Sequence, residues 1–224
     1  MTSLILVRHG KSLWNKENKF TGWTDIDLSE EGITEAKDAA KEIKSHHLKI
    51  NLVYSSIFSR AYNTANIILN ELNIKNITVI KDWRINERHY GDLQGLNKEE
   101  TSKKYGETQV YKWRRNYLSK PPLLSNTKYN KERSLPIFKD ISENNFPKGE
   151  SLKDTLVRVE KFCVDILYPQ LDDGNNILVS AHGNSIRAMI KMFEKISDFD
   201  IDKIEVETGK PIFYSYINKN FKRK

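Results

Sequence analysis

The sequence of 224 residues contains a single cysteine, Cys163, and this scarcity excludes an internal disulfide. Cys163 falls on an apolar helical stripe with Leu152, Leu156, Val159 and Ile166. A buried structural thiol is therefore expected in preference to a catalytic one. The five histidines and one cysteine show no spacing typical of zinc sites, and no metal is expected.

Long apolar runs are also missing. No run approaches the ~20 residues that a membrane span requires. The N-terminus enters its first apolar segment without the basic and hydrophobic regions of a signal peptide. We therefore expect a cytoplasmic location and no membrane partner. With 38% hydrophobic and 30% charged residues, the chain is most simply a single domain, residues 1–224.

The formal net charge of +7 is compatible with a nucleic-acid partner, an acidic small substrate or merely a well-solvated surface. Basic residues are spread among acids and form no arginine-rich block with interleaved aromatics, so no nucleic-acid partner is expected. The exception is the tail, residues 219–224, which holds four basic residues. We interpret this tail as a solvated end in preference to a contact segment.

Apolar runs alternate with helical patterns along the chain. This alternation predicts an α/β fold of three layers, a mostly parallel sheet with helices on both faces. Strands are expected near 4–7, 52–56, 77–80, 176–181 and 212–217. Helices are expected after a Ser29 cap, from Ser59, after an Asn97–Glu100 capping box, over 151–167 and after Gly183. Residues 120–148 are polar and contain prolines, and we interpret them as an excursion rather than a second domain.

Two of the apolar runs end on a His-Gly pair. They are Leu4-Ile5-Leu6-Val7-Arg8-His9-Gly10 and Asn176-Ile177-Leu178-Val179-Ser180-Ala181-His182-Gly183. The carboxyl ends of strands in an open α/β sheet border the crevice where ligands bind, so parallel neighbours would bring both imidazoles together. Either motif alone is as compatible with a packed histidine as with a functional one. Their recurrence, each with an arginine nearby (Arg8, Arg187), favours function.

The residue types around these histidines indicate phosphoryl transfer. A neutral imidazole is a good nucleophile, and Arg8 and Arg60 are fixed cations suited to a phosphoryl group. Arg60 lies at a predicted helix start, where backbone N–H groups add further donors. A histidine nucleophile would split the transfer into two steps through a phosphohistidine.

Two further groups leave alternatives open. Glu87 is either a general acid and base or half of a surface ion pair with Arg88, and composition alone favours the ion pair. The adjacent Arg114 and Arg115 either bind a substrate carboxylate or are simply solvated.

The motifs together resemble those of the cofactor-dependent phosphoglycerate mutases of the histidine phosphatase superfamily. The matching segments, in the family's order over nearly the whole chain, are LVRHG (6–10), FTGW (20–23), DLSE (27–30), NERHYGDLQGLNK (86–98), WRR (113–115), ESLKDT (150–155) and AHGNSIRA (181–188). The Arg-His-Gly motif alone is typical of the whole superfamily. The segment 86–91 and the Trp-Arg-Arg motif point to the mutase branch.

The resemblance implies a role for each matching residue. His9 would be phosphorylated during turnover, and Glu87 would pass the proton to and from substrate hydroxyls. Arg8, Arg60 and His182 would hold the transferring phosphoryl group. The implied substrate-binding set is Arg8, Asn15, Thr21, Gly22, Arg60, Glu87, Tyr90, Lys98, Arg114, Arg115, Gly183 and Asn184.

The implied reaction interconverts 3-phosphoglycerate and 2-phosphoglycerate in glycolysis and gluconeogenesis. The implied priming phosphate donor is 2,3-bisphosphoglycerate, no metal takes part, and relatives are often homo-oligomers, as dimers or tetramers. A phosphatase with the same phosphohistidine, acting on a small phosphorylated metabolite, is the alternative within this chemistry. A basic nucleic-acid-binding protein on a retired enzyme fold is the alternative outside it.

The chain departs from the family's pattern at three places. Lys11 stands where relatives usually carry Glu or Gln, which is expected to add a cation beside the nucleophile. Leu118-Ser119-Lys120 replaces the family's usual Asp and first prolines. The short basic tail replaces a longer one that helps cover the site and exclude water. These departures bear on substrate closure and on the ratio of mutase to phosphatase activity.

Overall fold

The computed structural model describes residues 2–224, which contain one six-stranded sheet. Its strands are β1 (Thr2–Arg8), β2 (Leu52–Ser55), β3 (Val79–Lys81), β4 (Ile177–Ala181), β5 (Pro211–Ile217) and β6 (Asn220–Arg223). The strand order is β3-β2-β4-β1-β5-β6. The first four strands in that order run parallel, and β5 and β6 are antiparallel to their neighbours. The predicted α/β fold with a mostly parallel sheet is confirmed.

Nine α-helices connect and cover these strands within residues 2–224. They are α1 (Leu13–Lys16), α2 (Glu30–Ser45), α3 (Ser59–Glu71), α4 (Lys98–Tyr105), α5 (Glu107–Arg115), α6 (Asn126–Arg133), α7 (Leu152–Phe162), α8 (Tyr168–Asp172) and α9 (Gly183–Phe193). None of the described helices is long and apolar enough to cross a membrane.

The alternation of side chains along β1 separates two cores. Leu4 and Leu6 belong to the core on one face of the sheet, which includes residues of α7 and α9. Ile5 and Val7 belong to the core on the other face, which includes residues of α2 and α3. Successive strand side chains point to opposite faces, so a strand covered on both sides must be apolar at every position. This explains the unbroken apolar run at the start of the sequence.

The strands β1 and β4 are parallel neighbours, as predicted. Their register pairs Leu4 with Ile177 and continues to Arg8 opposite Ala181. The two residues that follow these strands, His9 and His182, therefore leave the sheet side by side at its carboxyl edge.

Two helix N-termini carry the predicted caps in different forms. The Ser29 hydroxyl accepts a hydrogen bond from the backbone N–H of Gly32 at the start of α2. The side chain of Asn97 caps α4 by accepting from the backbone N–H groups of Glu99 and Glu100. The predicted capping box was wrong, because no return bond from the Glu100 side chain is formed among the described residues.

The helix predicted over 151–167 is interrupted. It begins as α7 with a capping box between Ser151 and Asp154, becomes a π-helical turn at Cys163–Leu167 and continues as α8. Cys163 is fully buried, and burial raises the pKa of its thiol. The predicted burial of Cys163 is confirmed. The third strand is displaced from the predicted 77–80 to 79–81.

The segment 120–148 contains α6 and two short 3-10 turns, Pro136–Phe138 and Glu143–Asn145. Its buried side chains form one apolar cluster with Trp23 and Phe58. The carboxylate of Glu132 on α6 accepts a hydrogen bond from Gln94 Nε2 at 3.1 Å. The segment is thus tied to the loops that follow β1 and β3. Its description as an excursion within a single domain stays a prediction.

The four basic residues of the tail are exposed, as expected, but the tail is also part of the sheet, which was not predicted. Residues 220–223 form β6, which pairs with β5 through a two-residue turn in which Asn218 and Lys219 have positive φ. The ring of Phe221 stacks on Phe193 with centroids 3.9 Å apart. One aromatic side chain within the basic run therefore fixes the tail to the edge of the sheet.

Candidate active site

A pocket lies at the carboxyl ends of β1 and β4, and the predicted site residues converge on it. Those that line it are Arg8, His9, Asn15, Thr21, Gly22, Arg60, Glu87, Tyr90, Lys98, Arg114, Arg115, Gly183 and Asn184. His182 lies directly behind this lining, with its ring centroid 4.9 Å from that of His9. The sequence pattern therefore selected residues that the fold brings to one place.

His9 is held as a neutral imidazole with one free nitrogen. Its Nδ1 lies 2.7 Å from the backbone oxygen of Gly10. A carbonyl only accepts hydrogen bonds, so Nδ1 carries the proton and Nε2 keeps its lone pair. Burial, followed by the cations of Arg60 and Arg8, lowers the pKa of His9 well below its ordinary value. At neutral pH the ring is in the nucleophilic form.

Gly10 allows a close approach that any side chain would prevent. A Cβ at this position would lie 2.1 Å from the backbone oxygen of Gly32, at the start of α2. The backbone N–H of Gly10 donates to the Thr64 hydroxyl on α3 at 3.1 Å. The backbone next to His9 is therefore in close contact with both α2 and α3.

His182 is held by a hydroxyl on the neighbouring strand end. Its Nε2 lies 2.7 Å from the Oγ of Ser56, and this Oγ accepts a hydrogen bond from the backbone N–H of Phe58 at 3.3 Å. Burial, with Arg60 and His9 nearby, lowers the pKa of His182 well below its ordinary value. The ring is therefore neutral at pH 7. Its Nδ1 is buried without a hydrogen-bond partner among the described residues.

Arg60 and Arg8 place two guanidinium groups around the histidines. Arg60 donates to the backbone oxygens of Gly22 and Thr24 at 2.8 and 2.9 Å. Arg8 donates to the backbone oxygen of Val206 at 2.7 Å. Neither forms an ion pair within residues 2–224, and the Nε of each is buried without a partner there. Burial lowers the pKa of Arg60 to about 10, so it stays cationic at neutral pH.

Glu87 is buried, and the alternative of a surface ion pair with Arg88 was wrong. Its Oε1 accepts from the backbone N–H of Arg88 at 2.7 Å and from that of Asn184, in the first turn of α9, at 3.2 Å. Its Oε2 makes no hydrogen bond to a described residue. The Arg88 guanidinium turns away and donates to the backbone oxygen of Arg114 at 2.6 Å. The Glu87 carboxylate is thus fixed through one oxygen only.

The loop that carries Glu87 is clamped from behind by Arg158 on α7. Arg158 NH1 donates to the backbone oxygens of Arg84 and Asn86, and NH2 donates to that of Glu87, all at 2.8 Å. The same guanidinium forms a buried ion pair with Glu150 at 2.8 Å. The sequence analysis included Glu150 in a family motif without giving it a role, and it did not single out Arg158.

The side of the pocket beyond Glu87 carries the remaining polar groups. The hydroxyl of Tyr90 accepts from Asn184 Nδ2 at 3.1 Å. Arg115 forms an ion pair with Glu205 across the pocket mouth. Burial lowers the pKa of Lys98, which lies above the ring of Phe20.

Five lining residues were not predicted as site residues. They are Lys19, Phe20, Arg187, Glu205 and Val206. The sequence analysis named Arg187 beside the second His-Gly pair without giving it a role. It follows Gly183 by four residues on α9, and this helical spacing could have placed both on one face. The segment 205–206 offers no comparable signal, because it is irregular chain brought to the pocket by the loop before β5.

Lys11 does not add a cation beside the nucleophile, contrary to expectation. Its Nζ lies 2.5 Å from the carboxylate of Glu31, and its backbone N–H donates to Glu35 at 2.7 Å. The side chain is directed to α2 and is not part of the pocket lining.

The comparisons with known proteins agree with this site. The sequence matches the family model of the histidine phosphatase superfamily (branch 1) over residues 4–146 and 127–221. The chain belongs to the histidine phosphatase superfamily. Within it, the chain is a member of the group of 2,3-bisphosphoglycerate-dependent phosphoglycerate mutases, as the following relatives show.

A protein of this name from Staphylococcus saprophyticus is 49% identical over 96% of this chain and 94% of its own length. Another from Treponema denticola is 46% identical over 98% of this chain and 88% of its own length. The family suggested by the sequence motifs is confirmed.

Solved structures of the superfamily share the fold. The phosphoglycerate mutase from Bacillus anthracis aligns with a TM-score of 0.72 and 21% identity, covering 100% of this chain and 91% of its own. A mycobacterial glucosyl-3-phosphoglycerate phosphatase aligns with a TM-score of 0.76 and 21% identity, covering 100% and 97%. Mutases and phosphatases are thus built on the same frame, and the fold alone does not separate them.

Proposed function

We propose that this protein interconverts 3-phosphoglycerate and 2-phosphoglycerate through a phosphohistidine at His9, primed by 2,3-bisphosphoglycerate. The observation that carries the proposal is the buried pair His9 and His182 between two guanidinium groups with free Nε atoms, beside a buried carboxylate. The mutase relatives at 46–49% identity support the same reaction.

In the priming step, His9 Nε2 attacks the phosphorus of a phosphate ester of 2,3-bisphosphoglycerate. The N–P bond forms as the bond from phosphorus to the ester oxygen breaks, and Glu87 gives its proton to the departing oxygen. In the next step Glu87 takes the proton of a phosphoglycerate hydroxyl. That oxygen attacks the phosphohistidine, the N–P bond breaks, and 2,3-bisphosphoglycerate is formed again. Alternation between the two hydroxyls interconverts the monophosphates.

The surrounding donors stabilise the phosphoryl group while it is transferred. Its charge is spread over three equatorial oxygens, and catalysis depends on fixed donors directed at them. Arg8, Arg60 and the Nδ1–H of His182 supply such donors in a buried setting. The hydrogen bond from His9 Nδ1 to Gly10 keeps the ring oriented in both halves of the cycle.

The proposed binding set extends over the rest of the pocket. Asn15, Thr21 and Gly22 lie on the loop side, and Gly183 and Asn184 lie at the start of α9. The remaining members, Tyr90, Lys98, Arg114 and Arg115, lie beyond Glu87. Several cations in one pocket suit a bisphosphate that also carries a carboxylate, so 2,3-bisphosphoglycerate fits the chemistry of these residues. A cytoplasmic homo-oligomer without nucleic-acid or membrane partners stays a prediction.

One observation favours a phosphatase as the second candidate. Residues 211–223 form β5 and β6 and do not line the pocket, so the chain's own tail does not cover the site. Water that enters an uncovered pocket could take the phosphoryl group from His9 in place of phosphoglycerate.

The deciding experiment is a coupled assay for conversion of 3-phosphoglycerate to 2-phosphoglycerate, with and without added 2,3-bisphosphoglycerate. Release of free phosphate is measured in the same samples, and His9→Ala serves as the inactive control. Strong stimulation by the bisphosphate with little phosphate release is the expected result. Phosphate release that outpaces isomerisation would make the enzyme a phosphatase.

A further inference from the structure

Arg187 is a buried guanidinium in the pocket wall that the proposed mechanism does not use. It lies on α9, is 6% exposed and lines the pocket. Its guanidinium makes no hydrogen bond or ion pair with any residue of the described chain, and its Nε and NH1 are buried. Burying a cation without a counter-charge is unfavourable, so a group in this position is suited to an anionic ligand.

The neighbours of Arg187 are other cations. Burial, followed by Arg115 and Arg88, lowers the pKa of Arg187 to about 10, while Tyr90 and Glu87 act in the opposite direction. Arg187 therefore stays charged at neutral pH. The carboxylate of Glu205, the acid that lines this side of the pocket, is already paired with Arg115. Among the described residues no acidic side chain forms an ion pair with Arg187, and the more distant Glu87 offsets only part of its charge.

The cations of the pocket differ in whether the proposed transfer step uses them. Arg8 and Arg60 act on His9, where phosphoryl transfer is proposed, and a phosphoryl group on His9 requires only these two. Arg187 lines the same pocket near Arg115 and has no partner of its own. A bisphosphate brings a second dianion into this pocket, and so does a phosphorylated acceptor that enters beside the phosphohistidine. Arg187 is a buried cation that can receive this second dianion.

We propose that Arg187 binds the phosphate that is not being transferred, and so makes the pocket selective for ligands with two phosphates or for phosphorylated acceptors. The proposal rests on the proposed function, since it assigns the second anion of the same substrates. A guanidinium presents its N–H groups in planar forks, and each fork can bind a phosphate through two oxygens.

The test compares Arg187→Met with the wild type in isomerisation and in hydrolysis of p-nitrophenyl phosphate, a monophosphate without a second anion. Loss of a charged hydrogen-bonding group is expected to raise the KM for 3-phosphoglycerate and the half-saturating 2,3-bisphosphoglycerate concentration about 10- to 100-fold. The rate of p-nitrophenyl phosphate hydrolysis should change less than about twofold, because Arg8 and Arg60 around His9 keep their contacts. Arg187→Lys should recover part of the loss.

The matched control is Lys191→Met, which removes a cation from the next turn of α9. Lys191 pairs with Asp198 and lies outside the pocket lining. The KM values of the Lys191→Met enzyme should therefore stay at the wild-type level. Should Arg187→Met fail to fold, Arg187→Lys supports the same comparison.

A second readout separates phosphate from carboxylate as the ligand of Arg187. Phosphorylated enzyme is mixed with glycerol 3-phosphate, which has a phosphate and no carboxylate, or with glycerate, which has a carboxylate and no phosphate. Arg187→Met should weaken the dephosphorylation caused by glycerol 3-phosphate and leave that caused by glycerate unchanged. The reverse pattern would overturn the assignment.

The two proposals fail in different ways. A wild-type enzyme without bisphosphate-stimulated isomerisation would refute the proposed function, whatever Arg187 does. A wild-type enzyme that isomerises, with an Arg187→Met variant of unchanged KM, would refute the role of Arg187 alone.

Discussion

The Oγ of Ser56 lies 2.7 Å from the Nε2 of His182, and this contact determines which nitrogen of His182 carries the proton. The lone pairs of the hydroxyl receive the backbone N–H of Phe58, and its proton has no other acceptor among the described residues. A buried hydroxyl that fails to donate is costly, so Ser56 donates to Nε2. The proton of the neutral ring is then on Nδ1, the N–H group that the proposed mechanism uses as a donor to the phosphoryl group.

Ser56→Ala should therefore slow phosphoryl transfer without changing the fold. The ring would no longer be held to one tautomer, and the donor on Nδ1 would be lost for part of the population. The rate of His9 phosphorylation should fall in proportion to the population that loses the donor, with a limit of about 10²-fold for complete loss. Stopped-flow transfer from 2,3-bisphosphoglycerate measures the rate, and ¹⁵N shifts of the His182 ring report the tautomer.

Thr155→Val is the matched control for this variant. It also removes a buried hydroxyl, which donates to the backbone oxygen of Ser151 on α7 and does not line the pocket. Its transfer rate should equal that of the wild type. An unchanged ¹⁵N pattern in Ser56→Ala would mean that Ser56 does not set the tautomer.

The two buried histidines should make stability fall on mild acidification. Burial lowers the pKa of both His9 and His182 in the folded state, so between the folded values and the unfolded value of about 6.5 the unfolded chain binds more protons. Their stabilisation is therefore complete above about pH 6.5 and is lost as the pH falls below it. Each histidine contributes a slope of up to about 1.4 kcal/mol per pH unit.

Urea unfolding between pH 5 and 8 in phosphate-free buffer measures this slope. Carboxylates with a lowered pKa, such as Asp154, titrate at lower pH and do not account for it. In His9→Asn the free energy of unfolding should depend less steeply on pH, because unfolding then takes up one proton fewer than in the wild type. A wild-type free energy of unfolding that stays constant from pH 6.5 to 5 would rule out neutral, buried histidines.

The parts of the site carried by strands could be predicted from the sequence. A strand buried on both faces is apolar at every position, so its end is visible, and His9 and His182 mark two such ends. The role of Glu87 could not be predicted from composition, because its partner Asn184 is 97 positions away in the chain. Glu205 lies on irregular chain without a motif. The pairing of the tail as β6 was not predicted, because a single apolar residue in the basic run, Phe221, determines its packing.

Replacing Glu87 by Gln should reduce proton transfer while retaining the shape of the site. The amide oxygen can still accept from the backbone N–H groups of Arg88 and Asn184, which now bind Oε1. The other atom becomes an N–H₂ group that cannot take a proton from a hydroxyl. We expect isomerisation to fall about 10²- to 10⁴-fold with little change in melting temperature. Isomerisation at the wild-type rate would remove Glu87 from proton transfer.

Arg158→Met should lower both stability and the rate of transfer. The change leaves Glu150 as an unpaired buried carboxylate and removes the three hydrogen bonds from Arg158 to backbone oxygens of the Glu87 loop. Breaking a buried pair from one side costs about 3–5 kcal/mol in the free energy of unfolding, measured with urea. The double variant Glu150→Gln/Arg158→Met should recover part of the stability without recovering the rate. An Arg158→Met variant as stable as the wild type would contradict the role of Arg158 in stabilising the Glu87 loop.

Removal of the tail should affect stability and not the partition between mutase and phosphatase activity. The strand β6 lies at the edge of the sheet, where the half-buried ring of Phe221 packs on Phe193, and residues 211–224 do not line the pocket. Phe221→Ala is expected to cost about 1–3 kcal/mol in the free energy of unfolding. In Phe221→Ala the ratio of phosphate release to isomerisation should stay within about twofold of the wild type, because the access of water to the pocket is unchanged.

The same ratio is expected for a chain that ends at Asn218, assayed below its melting temperature. A rise in phosphate release in that shortened chain, with Phe221→Ala at the wild-type ratio, would mean that the last residues leave the sheet during turnover and cover the site.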